Sequence, residues 1–80
     1  MKASELFART TMHEVKKGRN VRWIGWCDGY ILVRFQKPDL YIFGPDIPEG
    51  ELSKILRVPY PDRQFQLAIR SKFRAFKGTV

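Results

Sequence analysis

The chain has 80 residues, of which 44% are hydrophobic and 14% aromatic, and it carries a net charge of +7. This composition is globular and excludes a disordered chain, and no apolar run reaches the roughly 20 residues that a membrane-spanning helix needs. The single cysteine, Cys27, cannot form a disulfide within the chain, and residues 1–6 lack the apolar stretch of a secretory signal. We therefore expect a cytoplasmic protein of one domain with no membrane partner.

The positive charge is concentrated at the two ends of the chain. Residues 1–24 carry six lysines and arginines against two acids, and residues 60–80 carry five against one, whereas residues 25–59 carry four against five. Such an asymmetry suits a polyanionic partner, but small basic proteins without a nucleic-acid role are also common. Charge alone leaves the class of partner open.

Residues 1–20 predict a basic N-terminal arm that is partly ordered. Ser4 can cap a short helix that includes Leu6, and an edge strand over about residues 10–15 is an alternative. The cluster at residues 16–20, KKGRN, interrupts any longer helical pattern. We expect residues 21–80 to form a single α+β domain.

Residues 21–35, VRWIGWCDGYILVRF, predict a β-hairpin. Asp28 and Gly29 supply the two positive-φ positions of a type I′ turn, which places Cys27 opposite Tyr30. Because side chains alternate along a strand, one set faces the core. This set is Ile24, Trp26, Ile31, Val33 and Phe35. The opposite face carries Trp23, Gly25, Cys27, Tyr30, Leu32 and Arg34.

The second face of the hairpin is the candidate binding surface. Trp23 lies across from Arg34, within reach of a cation–π contact, and Tyr30 adds another aromatic ring. Two interpretations stay open for this face. Either it is exposed and contacts a ligand, or the arm of residues 1–20 covers it.

A third strand and two helices are predicted after the hairpin. Residues 40–43 form a short strand that ends before Gly44, and Pro48 suits the first turn of a helix over about residues 48–57. Asp62 can cap a last helix over about residues 62–76. Its predicted apolar stripe is Phe65, Ile69, Phe73 and Phe76, and its predicted basic stripe is Arg63, Arg70, Arg74 and Lys77.

The predicted fold is thus α+β, with a three-stranded antiparallel β-meander packed against two C-terminal helices and a basic N-terminal arm. Over about residues 22–73 the chain resembles the KTSC domain, which occurs at the C-terminus of some lysyl-tRNA synthetases and as small stand-alone bacterial and phage-type proteins. The segments that carry the resemblance are Ile24-Gly25-Trp26, the strand Ile31–Phe35, Tyr41-Ile42-Phe43, Ile47-Pro48-Glu49, and Phe65 followed by Ile69–Phe73. Phe43 and the segment at residues 58–61, VPYP, depart from the family pattern. The resemblance implies RNA binding by analogy.

The sequence offers little for catalysis. The chain has one histidine, His13, and one cysteine, Cys27, whereas nucleophilic catalysis needs a nucleophile, a base and a group that orients it. A structural zinc site needs three or four clustered histidines and cysteines, and no segment has the spacing of a phosphate loop. We therefore expect a binding protein that is not an enzyme and has no metal or cofactor.

Two functions compete on these observations. The first is a small basic nucleic-acid-binding module for RNA or single strands, in which Trp23 and Tyr30 stack on bases and cationic side chains contact phosphates. These cations are Lys16, Lys17, Arg19, Arg34, Arg63, Arg70, Arg74 and Lys77. The second is a protein-interaction module, for instance a phage-encoded or accessory protein that binds an acidic surface of a larger, nucleic-acid-processing partner, because Trp, Tyr and Arg are enriched at interfaces. A homodimer is a further alternative.

Overall fold

The computed structural model describes residues 3–36 and 39–78. Residues 77 and 78 are described by their backbone alone. Five antiparallel strands form one sheet and follow one another in chain order. They are β1 (His13–Glu14), β2 (Trp23–Cys27), β3 (Tyr30–Arg34), β4 (Leu40–Phe43) and β5 (Ala75–Gly78). The helices are α1 (Ala3–Arg9), α2 (Gly50–Arg57) and α3 (Pro61–Phe65), which continues as a π-helical segment, Gln66–Arg70. No helix in the described part of the chain is long and apolar enough to cross a bilayer.

The central hairpin has the register that the sequence predicts. Asp28 and Gly29 have φ values of 50° and 84°, as a type I′ turn requires, and Cys27 lies opposite Tyr30. Because this register determines which side chains face the helices, the division of the hairpin into two faces is confirmed.

One face of the sheet packs against α2, α3 and the π-helical segment. Its buried core comprises Val15, Val21, Ile24, Ile31, Val33, Phe43, Ile47, Ile55, Phe65 and Ile69. The Phe65 ring makes edge-to-face contacts with Phe43 and Phe35, at centroid distances of 5.1 and 5.9 Å. The half-buried Trp26 donates its indole N–H to the Ile47 carbonyl oxygen at 2.7 Å. We call this the helical face of the sheet.

The opposite face is covered by α1, and we call it the α1 face. The buried Leu6 side chain packs here with Cys27, Leu32, Leu40 and Ile42. The chain that follows α1 crosses β2 so closely that a Cβ atom at Gly25 would lie 2.5 Å from Thr10 Cγ2 and 2.7 Å from the Thr11 carbonyl oxygen. Of the two interpretations that the sequence leaves open, the covered face is the one observed.

The α+β class is confirmed, but the C-terminal region differs from the prediction. The last helix ends at Arg70 rather than near residue 76, and the chain turns back to form β5, in which Phe76 lies opposite Ile42. The spacing of Phe65, Ile69, Phe73 and Phe76 imitates a helical stripe, although Phe76 belongs to a strand. The sheet has five strands where the three-stranded prediction has three. The edge strand β1 matches the alternative expected over about residues 10–15, whereas β5 at the other edge was not predicted.

Candidate functional site

A cleft with a volume of about 590 Å³ opens on the helical face beside β4 and β5. Tyr41 lies opposite Val33, and Phe43 lies opposite both Ile31 and Ala75, so β4 and β5 present these side chains to the helical side. The described lining residues are Asn20, Phe35, Gln36, Asp39, Tyr41, Phe43, Arg70, Phe73 and Ala75. The volume is within the range of about 300–1,000 Å³ that is typical of small-ligand sites.

Four aromatic rings form the apolar part of this cleft. Phe43 is buried, whereas Phe35, Tyr41 and Phe73 are half-buried and keep part of their surface accessible. Phe35 and Tyr41 pack edge to face, with centroids 5.4 Å apart and planes at 68°. Because Phe35 also contacts the buried Phe65 ring, these rings are held in position by the core. A flat apolar ligand would meet preformed aromatic surface here.

Three polar groups of the cleft have no hydrogen-bond or ion-pair partner within the described part of the chain. The Asn20 amide, the Tyr41 hydroxyl and the Arg70 guanidinium form no hydrogen bond or ion pair with residues 3–36 or 39–78. Arg70 is exposed at the end of the π-helical segment, where a cation is also favoured by the helix dipole. The cleft therefore combines aromatic walls with groups that can still bind a polar ligand.

The loop that carries Asn20 is held by the carboxylate of Asp62. Its oxygens accept the backbone N–H groups of Arg19 at 2.8 Å, Asn20 at 3.1 Å and Val21 at 3.0 Å. Partial burial acts to raise the pKa of Asp62, but these three backbone donors together with the Arg19 charge outweigh it and lower the pKa below its ordinary value. The sequence predicts Asp62 as the N-cap of the last helix, but α3 begins at Pro61 with Tyr60 at the cap position, and the Asp62 carboxylate anchors a distant loop instead.

Gln36 and Gly18 fix the same loop from other directions. The Gln36 amide nitrogen donates to the Arg19 carbonyl oxygen at 2.5 Å. A Cβ atom at Gly18 would lie 2.2 Å from the Val21 carbonyl oxygen, so the tight turn at this position requires glycine. Together with Asp62, these contacts hold the backbone of Asn20 at the edge of the cleft.

The aromatic face predicted from the hairpin is not an open platform. Trp23 is 42% exposed, but Tyr30 is half-buried and its ring contacts Phe76 edge to face, at a centroid distance of 6.4 Å. Arg34 is also half-buried, and its guanidinium carbon lies 5.6 Å from the centroid of Phe7 in α1 rather than over Trp23. Its Nε atom is buried without a hydrogen-bond partner among the described residues.

The predicted cations lie on several segments instead of one helix stripe. Arg63 and Arg70 lie in α3 and its π-helical continuation, whereas Arg74 precedes β5 and the backbone of Lys77 belongs to that strand. The side chain of Lys77 lies outside the described part of the structure. The remaining predicted cations are exposed in the loop before β2, and they are Lys16, Lys17 and Arg19. Of the predicted site residues, Arg70 lines the cleft.

The sequence hypothesis missed most of the cleft, because its walls come from distant segments. Asn20 and Gln36 carry no signal of their own in the sequence. The resemblance to the KTSC domain offered the best signal, since five of the side chains that carry it line the cleft. Those in the lining are Phe35, Tyr41, Arg70 and Phe73, together with Phe43 at the second aromatic position.

Comparison with known proteins does not assign the chain to a family. Neither the family models nor the curated proteins compared with the sequence match it. The cleft and the charges around it are therefore the basis for a functional proposal.

Proposed function

We propose that the protein is a small basic module that binds single-stranded nucleic acid, RNA in particular, and that its cleft holds an unpaired base. The observation that carries the proposal is one cavity that combines four aromatic rings with the Arg70 guanidinium, which has no partner among the residues that the structure describes. A nucleotide has the matching parts, since its base is flat and aromatic and its phosphate is anionic. Contact between a base and aromatic side chains contributes about 1–3 kcal/mol.

The shape of the site favours single strands over duplexes. A base that enters a cavity has to leave its stack and its pairing partner, which costs a few kcal/mol in a duplex and little in a single strand. Proteins that recognise single-stranded RNA contact splayed bases with aromatic side chains in this way. A duplex should therefore bind only through electrostatic contacts between its phosphates and the cationic side chains.

Exposed cations outside the cleft would contact the rest of the strand. Arg19 is next to Asn20 in the loop at the edge of the cleft, and Arg74 immediately precedes Ala75, which lines the cleft. A strand with one base in the cleft would thus have two cations available next to lining residues, for contact with its phosphates. The more distant Lys16, Lys17 and Arg63 are exposed as well, and each phosphate contact releases counterions.

Residues of the α1 face have a smaller part in this proposal. Trp23 remains accessible at the start of β2 and offers a second stacking side chain for a longer strand. Tyr30 and Arg34 are half-buried beside Phe76 and Phe7, so we assign them to packing between the sheet and α1.

The resemblance to the KTSC domain supports the location of the site. We propose that the chain is related to this family and that the aromatic pair at Tyr41 and Phe43 and the segment at residues 69–73 keep their pattern because they build the cleft. A common ligand would then be expected for the family.

Arg70→Ala tests the proposal, with Arg63→Ala as the matched control. Both arginines are exposed in the same helical region, but Arg70 lines the cleft and Arg63 does not. Binding of a labelled single-stranded RNA octamer, measured by fluorescence anisotropy, should weaken about tenfold in Arg70→Ala and no more than about threefold in Arg63→Ala. The log–log salt slope should become shallower by about 0.7 for the phosphate that Arg70 contacts. Undetectable binding of the octamer by the unaltered protein at low salt would contradict the function.

Protein binding is the second candidate function, and one surface favours it. Leu56 in α2 is 38% exposed, Tyr60 immediately before α3 is 74% exposed, and Leu67 in the π-helical segment is 58% exposed. Exposed large apolar side chains are typical of interfaces. A protein partner should bind after nuclease treatment, with one-to-one stoichiometry, and should be lost in Tyr60→Ala but retained in Arg70→Ala. A partner that depends on Arg70 and on nucleic acid would contradict this alternative.

A further inference from the structure

We propose that the cleft distinguishes among bases, that its preferred base is adenine, and that Asn20 is the residue that determines this specificity. This inference rests on the proposed binding of single-stranded nucleic acid, and it goes further by naming the base and the side chain that recognises it. The observation behind it is the contrast between the fixed backbone of Asn20 and its unpartnered side-chain amide.

The backbone around Asn20 is anchored by residues from two other parts of the chain, Asp62 and Gln36. Its N–H donates to Asp62 Oδ2 at 3.1 Å, and the neighbouring N–H groups of Arg19 and Val21 donate to the same carboxylate. The Arg19 carbonyl oxygen accepts from the Gln36 amide at 2.5 Å. The Cα position of Asn20 is therefore set before a ligand arrives, and this lowers the cost of ordering the loop on binding.

The side chain of Asn20, in contrast, is available for a ligand. Its amide forms no hydrogen bond with the residues that the structure describes, and it lines the cleft together with Tyr41 and Phe35. An amide in the loop region of a protein often bonds to the backbone of its own turn. Here Asp62 satisfies the backbone donors instead, and the amide is left at the edge of an aromatic cavity.

The chemistry of an amide next to aromatic rings matches adenine. An asparagine offers one donor and one acceptor side by side, which pair with the N7 acceptor and the N6 amino donor of adenine. A purine also has more ring surface than a pyrimidine to place against Phe35, Tyr41 and Phe73. The Arg70 guanidinium is a donor alone, so it suits the phosphate of the same nucleotide rather than the amino edge of the base.

Asp62 is a positioning residue in this account, since it acts on the ligand only through Asn20. Removing its charge would leave the cleft walls in place but would weaken the hold on the loop. The adenine preference should then decrease, whereas the affinity for oligo(U), which depends on Arg70 and on stacking, should change less than about threefold.

The test compares RNA octamers that differ at one position. Labelled oligo(U) and the same octamer with a single central adenine or cytosine are titrated with the unaltered protein, Asn20→Ala, Asn20→Asp and the control Gln66→Ala. Gln66 carries an exposed amide in the π-helical segment and does not line the cleft. Asn20→Asp keeps the shape of the side chain but removes the donor that pairs with N7. Thermal unfolding followed by circular dichroism establishes that each variant is folded.

We expect the unaltered protein and Gln66→Ala to bind the adenine-containing octamer roughly tenfold more tightly than oligo(U), as for one bidentate contact. Both Asn20 variants should reduce this ratio to within about twofold, and Asn20→Ala should leave the affinity for oligo(U) unchanged. Equal binding of the three octamers by the unaltered protein, or a preference that persists in Asn20→Ala, overturns the inference while the proposed function stands. Loss of all RNA binding in the unaltered protein at low salt overturns both.

Discussion

The two faces of the sheet are covered by different kinds of structure. On the helical face, α2, α3 and the π-helical segment bury the larger core and leave a cleft of about 590 Å³ at one end. On the other face, α1 has seven residues and covers the centre of the sheet, while Trp23 and Phe76 at its sides stay 42% and 46% exposed. The helical layer is thus the larger of the two and leaves a cleft beside it, whereas α1 is short and packs on the middle of the other face.

The gap arises because the helical layer ends early. The π-helical segment stops at Arg70, and the chain reverses through a turn in which the Phe73 N–H donates to the Ile69 carbonyl oxygen at 2.9 Å. The backbone then enters β5 beside β4, and Tyr41 and Phe35 remain half-buried at the cleft. The comparison shows that the position of a helix end, rather than the number of aromatic residues in a strand, creates the accessible aromatic surface.

The largest expected effect concerns the core of the helical face. Phe65→Ala removes the ring that contacts both Phe35 and Phe43, and truncation of a buried phenylalanine typically costs about 3–5 kcal/mol. Most of the stability of a chain of this size would be lost. Urea unfolding followed by circular dichroism measures the change, and a loss below about 1 kcal/mol would show that these rings are not packed as described.

A smaller loss is expected on the α1 face. Leu6→Ala should lower the free energy of unfolding by about 2–3 kcal/mol, since Leu6 is buried but its helix is short. The Arg9–Asp28 ion pair at 2.8 Å joins exposed side chains and should add little. RNA affinity of the folded Leu6→Ala protein should stay within about twofold of the original. A large gain in affinity would instead indicate that α1 hides the binding face.

Asp62→Asn tests the link between α3 and the loop at the cleft. Because the pKa of Asp62 in the folded state is below its ordinary value of 3.8, its stabilising contribution is present above that value and is lost as the pH falls through the folded-state pKa. Removing the charge-assisted hydrogen bonds should cost about 1–2 kcal/mol at pH 7. The difference between the two proteins in urea unfolding should be smaller at a pH well below 3.8 than at pH 7. An equal difference at both pH values would contradict the role of the charge.

The smallest effect is expected for Trp23→Ala. Trp23 is 42% exposed at the edge of the α1 face and lies apart from the lining of the cleft, so binding of an RNA octamer should weaken by about threefold or less. Fluorescence anisotropy measures the affinity of Trp23→Ala for the octamer in the same experiment as that of Arg70→Ala. If Trp23→Ala has the larger effect, the hairpin surface predicted from the sequence contacts the base and the cleft does not.

Local signals in the sequence were sufficient for the elements that depend on neighbouring residues. Asp28 and Gly29 determine the hairpin register because only a few residue types adopt positive φ at both positions, and the strand at residues 40–43 and the helix ending near residue 57 follow from adjacent turn residues and periodicity. β5 could not be predicted in this way. Its partner is β4, more than 30 positions earlier, and the spacing of Phe73 and Phe76 fits a helix equally well.

The candidate site was less predictable than the fold for the same reason. Arg70 was predicted as one cation of the basic stripe on the last helix, but Asn20, Gln36 and Tyr41 meet only when three separate segments fold together. The sequence also could not decide whether α1 covers Tyr30 and Arg34. A helix of seven residues is marginal alone and gains its stability from packing.

The most direct test is an NMR titration of the isotope-labelled protein with the adenine-containing RNA octamer. The two-dimensional spectrum reports each backbone amide, so the two faces of the sheet are compared in one experiment. The account predicts the largest shift changes at residues that line the cleft, notably Asn20, Tyr41 and Arg70, and small changes at Leu6 and Leu32 on the α1 face. Large shift changes at Leu6 and Leu32, with none at the residues that line the cleft, would contradict the proposed binding site.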